Sequence, residues 1–358
     1  MELKYFSKEL CKRFVDDTRL PIPAVNDADR LQYYLDLYEK DYNARTHYEN
    51  MCDEIDIDFN GDQYAFMKAF YDAREKMIND IKSNPKYLEF INCDMSVYGV
   101  CDELKSIPKG DIYNATNVGK WFISVDLREA NFQAMKYFSK ELVLNEDSYD
   151  GYVTRFTTSE YMVTSKNTRQ IVFGQTNPGR QVVIEKHLVS KLYENLSYDH
   201  DSIKVVRCNT DELVFEVLNS NTIADDNERI NYLIRVATIF EKNVKDACKK
   251  AHVDASTNMF KLGAMCLHSL RTGKFRRLSY ILYSAYDADG YTFKGVPLVY
   301  NSLVYKLFNG MSLTKDDYYF RYEGLDAYID DDFELVICKT AEEAIEKEKL
   351  TKQNKNDC

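Results

Sequence analysis

A chain of 358 residues with 47 Lys and Arg against 58 Asp and Glu carries a formal charge of −11. That balance argues against a basic nucleic-acid coat, whose positive charge would cover most of one face. Hydrophobic residues are 45% and charged residues 29%, so a packed core is expected and disorder is not.

The first residues, Met1 to Phe14, are charged throughout and lack the apolar stretch of a secretory signal. No run approaches the roughly 18 apolar residues of a membrane span. Nine Cys are scattered from Cys11 to Cys358 without a C-x-x-C pair, which fits reduced thiols and a cytoplasmic chain with no membrane partner.

Apolar residues recur at helical steps from about residue 5 to 90, as in Leu31, Tyr34, Leu35, Tyr38 and then Phe66, Phe70, Ala73, Met77, Ile81. Leu20-Pro21-Ile22-Pro23 and Asn84-Pro85 break this pattern. After a loop from Pro108 to Lys120, Trp121 to Asp126 reads as a strand ending on an acid, and Glu129 to Leu142 as the helix after it. Gln170 to Phe173 reads as a second short strand, followed by a Gly174 to Gly179 turn and a helix from Arg180 to Leu196. Ile203 to Cys208 and Leu213 to Val217 flank four polar residues, Asn209 to Glu212, and predict a hairpin with acids at its tip. A long helix from Asn227 to Lys250, a mixed region with strand-like Tyr-rich runs to about 336, a capping box at Thr340 and Glu343 opening a last helix, and a tail frayed from Thr351 complete the chain. The fold class is α+β, in three consecutive parts: a helical region 1–118, a sheet domain 119–265 and a smaller α/β region 266–358.

The chemistry-bearing constellation is Asp126 at a strand end together with Asp211 and Glu212 at the hairpin tip. Two-metal phosphoryl transfer requires carboxylates on rigid neighbouring strands, able to bridge Mg²⁺ ions about 3.5–4 Å apart.

These residues resemble a family. Thr210-Asp211-Glu212-Leu213-Val214-Phe215-Glu216-Val217 is similar to the third palm motif of the family A DNA polymerases. Ser124 to Phe132, containing Asp126, resembles the first motif, and Arg169 to Gly174 the second, in the family's order. The sequence departs at Thr210 (usually His), Asn131 (usually Glu), Arg169 (usually Lys) and Asn177 (usually aromatic). The acids are 211 − 126 = 85 residues apart, about half the family's interval, implying reduced fingers. The short middle also resembles reverse transcriptases.

The resemblance implies a palm-like antiparallel sheet with helices on one face and a template-dependent nucleotidyltransferase. Asp126 and Asp211 would bind two Mg²⁺ and Glu212 would assist. Lys166, Arg169, Phe173, Gly174 and Arg180 would meet the nucleoside triphosphate. Asn131 would lie under its sugar and weaken discrimination against ribonucleotides. Arg271, Lys274, Arg276 and Arg277 would contact primer–template phosphates as a thumb or clamp, with a basic or processivity partner offsetting the overall acidity. The alternatives are a non-catalytic palm relic acting as a replication-associated or interaction protein, and a reverse-transcriptase-like polymerase.

Three competing patterns are weaker. Gly174 to Gln181 approaches a phosphate-binding loop but has Arg180 and Gln181 in place of its Lys and hydroxyl. Cys248 with His252 and Cys266 with His268 lack the usual zinc spacing. Asp53, Glu54, Asp56 and Asp58 read as a solvated acidic run.

Overall fold

The computed structural model describes residues 3–23, 25, 27–107, 110–323 and 325–356. Pro108 and Lys109, which open the expected loop, and the last two residues of the tail lie outside them. The fold is α+β, 54% helical and 17% strand. It divides into two units, one of residues 1–94, 135–181 and 297–329, the other of 95–134, 182–296 and 330–358. Each unit is assembled from separated stretches of the chain. Among the described residues no helix is long and apolar enough to cross a membrane, and the eight described cysteines are free thiols.

The first unit is mainly helical, as its periodicity predicts. Its first helix, Lys8–Thr18, ends at Arg19 in the left-handed conformation, ahead of the two prolines. Asn84 caps the Pro85–Asn92 helix by accepting from the Lys86 N–H at 2.9 Å. The expected strand at Gln170 to Phe173 is instead the end of a helix, Lys166–Gly174, whose cap Ser165 accepts from the Thr168 N–H. Thr168 and Val172 are buried one helical turn apart, so a helical stripe overrides four residues of strand-like composition.

The strands in chain order are β1 (Trp121–Leu127), β2 (Ile203–Cys208), β3 (Glu212–Val217), β4 (Ala255–Ser269), β5 (Ser279–Ser284), β6 (Tyr291–Lys294), β7 (Tyr319–Tyr322), β8 (Leu325–Tyr328) and β9 (Phe333–Cys338). β7 and β8 form a hairpin in the first unit. The second unit is built on an antiparallel sheet in the order β2-β3-β1-β4-β5-β6, with β9 also paired to β4. Its first four strands follow a split βαβ plan: β1, helices, the β2–β3 hairpin, the Asp226–Ala251 helix, then β4. β4 runs unbroken across residue 265.

Register sorts the side chains. Ile123 lies between Phe215 and Met259, and Phe122 between Glu216 and Phe260. Phe215 meets Phe240 of the Asp226–Ala251 helix edge-on at 4.9 Å, which sets that helix against the Ile123 face. Phe122, Val214, Phe260, Leu262 and Leu282 pack with Ile112 and Tyr113 from the segment before β1. Thr340 opens the last helix by accepting from the Glu343 N–H, while Glu343 accepts from Lys339. That helix continues to Asn356 rather than fraying at Thr351, and a Glu348–Lys352 pair at 3.3 Å spans its last turns.

Candidate functional site

Asp126 is the Cα partner of Glu212 on β3 and of Ser256 on β4. Directly opposed residues on antiparallel strands project to one face with Cβ atoms about 4.5–5.5 Å apart. Asp211, at the hairpin tip, is tied to the same strand end because its carbonyl accepts from the Leu127 N–H at 2.8 Å. Glu212 in turn closes the hairpin, its carbonyl accepting from the Asn209 N–H at 2.8 Å. The three acids read from the sequence thus share one end of the sheet.

Burial raises the Glu212 carboxyl above its usual range, and Asp126 and then Asp211 add to the rise, while Arg207 and Lys294 oppose it. Arg207, on β2, is held by Asp111 at 2.5 Å.

Beyond β1 the chain turns sharply through Glu129, at φ 50°, into the Ala130–Phe138 helix. Gln133 secures this turn from a buried position. Its amide nitrogen donates to the carbonyls of Arg128 and Asp254, and its amide oxygen accepts from the Asp254 N–H at 2.8 Å. Asn131, so fixed, donates from Nδ2 to Oε1 of Glu185 at 3.2 Å. Glu185 sits on the Pro178–Asn195 helix and is 3% exposed. Burial pushes its carboxyl up to about 7, with the charge of Asp211 contributing.

Glu185, Gln133 and Arg207 were not legible as site residues. The available signal for Glu185 was its spacing: it falls one turn from the buried Gln181 and Val189, an acid where the helix should be apolar.

The remaining expected site residues have other surroundings. Lys166, Arg169, Phe173, Gly174 and Arg180 belong to the first unit, whereas the acids and Asn131 belong to the second. Phe173 is fully buried against Tyr149, and the Arg169 guanidinium lies 5.5 Å from the Tyr149 ring. Arg180 donates to the carbonyl of Cys93 and lies 5.8 Å from the Phe90 ring. Lys166 and Gly174 are exposed. Arg271, Lys274, Arg276 and Arg277 lie in the turn from β4 to β5. That turn is at the opposite end of β4 from Ser256, roughly 40 Å away at about 3.3 Å per residue, so the cluster is not beside the carboxylates. Arg271 pairs there with Asp330 at 2.6 Å, and Arg276 lies over Phe333.

The competing patterns also resolve. The phosphate-loop reading loses its preceding strand. Gln181 instead holds the turn, donating to the carbonyls of Phe173 and Thr176 at 2.9 and 2.8 Å. His252 caps a helix in the left-handed conformation, Cys266 is buried, and His268 is bound to Glu334 at 2.6 Å. Of the acidic run, Asp56 bonds Lys4 and Tyr5, and Glu54 accepts from the Tyr161 N–H.

Among the described residues no three Asp, Glu, His or Cys side chains gather in the manner of a complete metal cage. Hard oxygen donors on two adjoining elements nevertheless suit Mg²⁺, which commonly takes one or two carboxylates and completes its shell with substrate phosphates and water. The chain matches no family model, no curated protein and no solved structure.

Proposed function

We propose that the chain is a template-dependent nucleotidyltransferase of DNA-polymerase type, acting on a primer–template and nucleoside triphosphates. The observation that carries this reading is the register of Asp126 with Glu212, with Asp211 bonded through its carbonyl to the end of the same strand. Asp126 and Asp211 would hold the two Mg²⁺, which supply charge neutralisation at the transferring phosphoryl group and lower the pKa of the attacking hydroxyl.

The protein's own contribution is rigidity and field. Strand pairing fixes the spacing of the acids before substrate arrives, so little reorganisation accompanies reaction. Glu212, whose carboxyl is raised by burial and by both neighbours, is suited to a supporting role beside the primer end. The resemblance assigns the triphosphate to Lys166 and Arg169.

Primer extension with Mg²⁺ tests the reading. Asp211→Asn should lower turnover by about 10²–10³-fold, the usual loss when one preorganised electrostatic element is removed, without lowering the unfolding midpoint. Equal extension by wild type and Asp211→Asn would remove Asp211 from the chemistry. Absence of any extension by wild type would favour the relic, to which the engagement of Asn131 by Glu185 gives some support. Comparing DNA with RNA templates distinguishes the reverse-transcriptase-like alternative.

A further inference from the structure

The second unit holds a cavity of about 240 Å³ where the chain entering β2 passes the Asp226–Ala251 helix. Ile203 opens β2 and lines the cavity, while the acidic hairpin tip follows Cys208 at the other end of that strand. The cavity and the candidate acids are therefore roughly 17 Å apart along β2, at about 3.3 Å per residue.

Its apolar walls are fixed by packing. Ile203, Val236 and Phe240 are buried. Phe240 and Tyr198 each meet Phe215 of β3 edge-on, at 4.9 and 5.4 Å. Asn243 ties the entering chain to the helix, donating from Nδ2 to the Ser197 carbonyl at 2.8 Å. Ile239 also lines the cavity yet is 56% exposed, so apolar surface stands open to water here. An apolar cavity of about 150 Å³ holds benzene, and this larger one has room for a ring or branched alkyl group with a short polar head.

The lining also carries charges of both signs that the fold leaves apart. Among the described residues no carboxylate pairs with Arg235, whose guanidinium lies 5.8 Å from the Tyr232 ring. Asp199 accepts from the Ser202 hydroxyl at 2.6 Å and the Asp201 N–H at 3.0 Å. Those bonds hold its carboxyl below the usual range, and a carboxylate has acceptor sites beyond the two they use. Asn243, with its amide nitrogen committed, keeps its amide oxygen as an acceptor. A simple anion or cation would be attracted by one of these charges and repelled by the other. A zwitterion on an apolar body satisfies both.

We propose that this cavity binds a free α-amino acid with an apolar side chain. Its carboxylate sits on Arg235, whose planar fork suits bidentate pairing. Its ammonium donates to Asp199 and the Asn243 amide oxygen, and its side chain lies over Phe240 and Ile239. The proposal is independent of the nucleotidyl-transfer reading, since it uses none of the acids at the hairpin tip.

The test titrates the full chain, labelled with ¹³C in its Ile and Val methyl groups, with three probes that share a phenyl body. L-Phenylalanine carries both charges, phenylacetate lacks the ammonium and phenethylamine lacks the carboxylate. L-Phenylalanine should shift the methyls of Ile203, Val236 and Ile239 with the weak affinity expected of so small a ligand. The other two probes should bind about tenfold more weakly, the usual effect of one charge-assisted hydrogen bond.

Arg235→Gln should weaken L-phenylalanine about tenfold and leave phenethylamine unchanged. Asp199→Asn, which can still accept from the Asp201 N–H, should weaken L-phenylalanine similarly without weakening phenylacetate. Ile239→Gln, at an exposed position, should weaken all three. Equal affinity for the three probes, an Arg235→Gln variant that binds L-phenylalanine like wild type, or no shift at these methyls up to the solubility limit of L-phenylalanine would overturn the proposal.

Discussion

Asp17 and Asp317 in the first unit and Glu185 in the second are the acids buried almost completely among the described residues. Asp17 pairs with Arg13 at 3.1 Å and accepts from the Ser165 hydroxyl at 2.7 Å, and the Arg13 guanidinium lies 3.5 Å from the Phe70 ring. Asp317 pairs with Lys306 at 3.0 Å and also accepts from the Thr314 N–H and the Tyr33 hydroxyl. Glu185 has an amide and a second acid instead of a cation. Compensated buried acids of the first kind can be architecture, fastening residues 297–329 to the helices of their own unit. An uncompensated one under the influence of a second acid, Asp211, is a candidate for function, because the fold alone would favour replacing it.

The largest effect that would break this contrast is on the compensated side. Lys306→Met leaves Asp317 buried without its cation and should cost about 3–5 kcal/mol, read by denaturant unfolding followed through helical circular dichroism. An unmoved midpoint would place Asp317 in the same class as Glu185.

The opposite sign is expected in the second unit. Glu185 has its pKa raised from 4.5 to about 7, so the native state keeps a proton that the unfolded chain has released. Stability from this source is present below about pH 4.5 and is lost as pH rises through about 7. Glu185→Gln should therefore match wild type near pH 4 and exceed it at pH 8 by on the order of 3 kcal/mol. A variant equally or less stable at pH 8 would mean that the carboxylate is compensated in solution.

Gln133→Ala sharpens the picture at an intermediate magnitude. It removes a buried amide that serves both sides of the turn after β1 and should cost about 1–3 kcal/mol, with faster amide exchange at Asp254. Protection unchanged at Asp254 would separate Asn131 from this support.

Arg271→Ala should have the smallest effect, leaving the unfolding midpoint unchanged, since its pair with Asp330 is exposed. A fall in primer–template affinity with a flatter salt dependence would nevertheless give this distant turn a phosphate-binding role.

Features governed by local interactions were legible in the amino-acid order. The hairpin between Cys208 and Glu212, the long helix before β4, and the Thr340–Glu343 cap depend on neighbours a few residues apart. So does the acid at the end of β1. Composition misled where it competed with periodicity, at Gln170 to Phe173, which four residues could not decide, and again at Asn301–Phe308, a helix inside the Tyr-rich stretch.

Tertiary structure decided which of these pieces meet. That Asp126 faces Glu212 depends on β1 inserting between β3 and β4, a pairing across 86 residues of chain (212 − 126) that no local pattern encodes. The length of β4 set the Arg271 to Arg277 cluster far from the acids although both flank one strand. Glu185 meets Asn131 only through a hydrogen bond made across 54 positions in sequence. Short-range patterns specify elements because they are settled by caps, turns and alternation. Sites are settled by which faces the folded chain brings together, and that depends on the core as a whole.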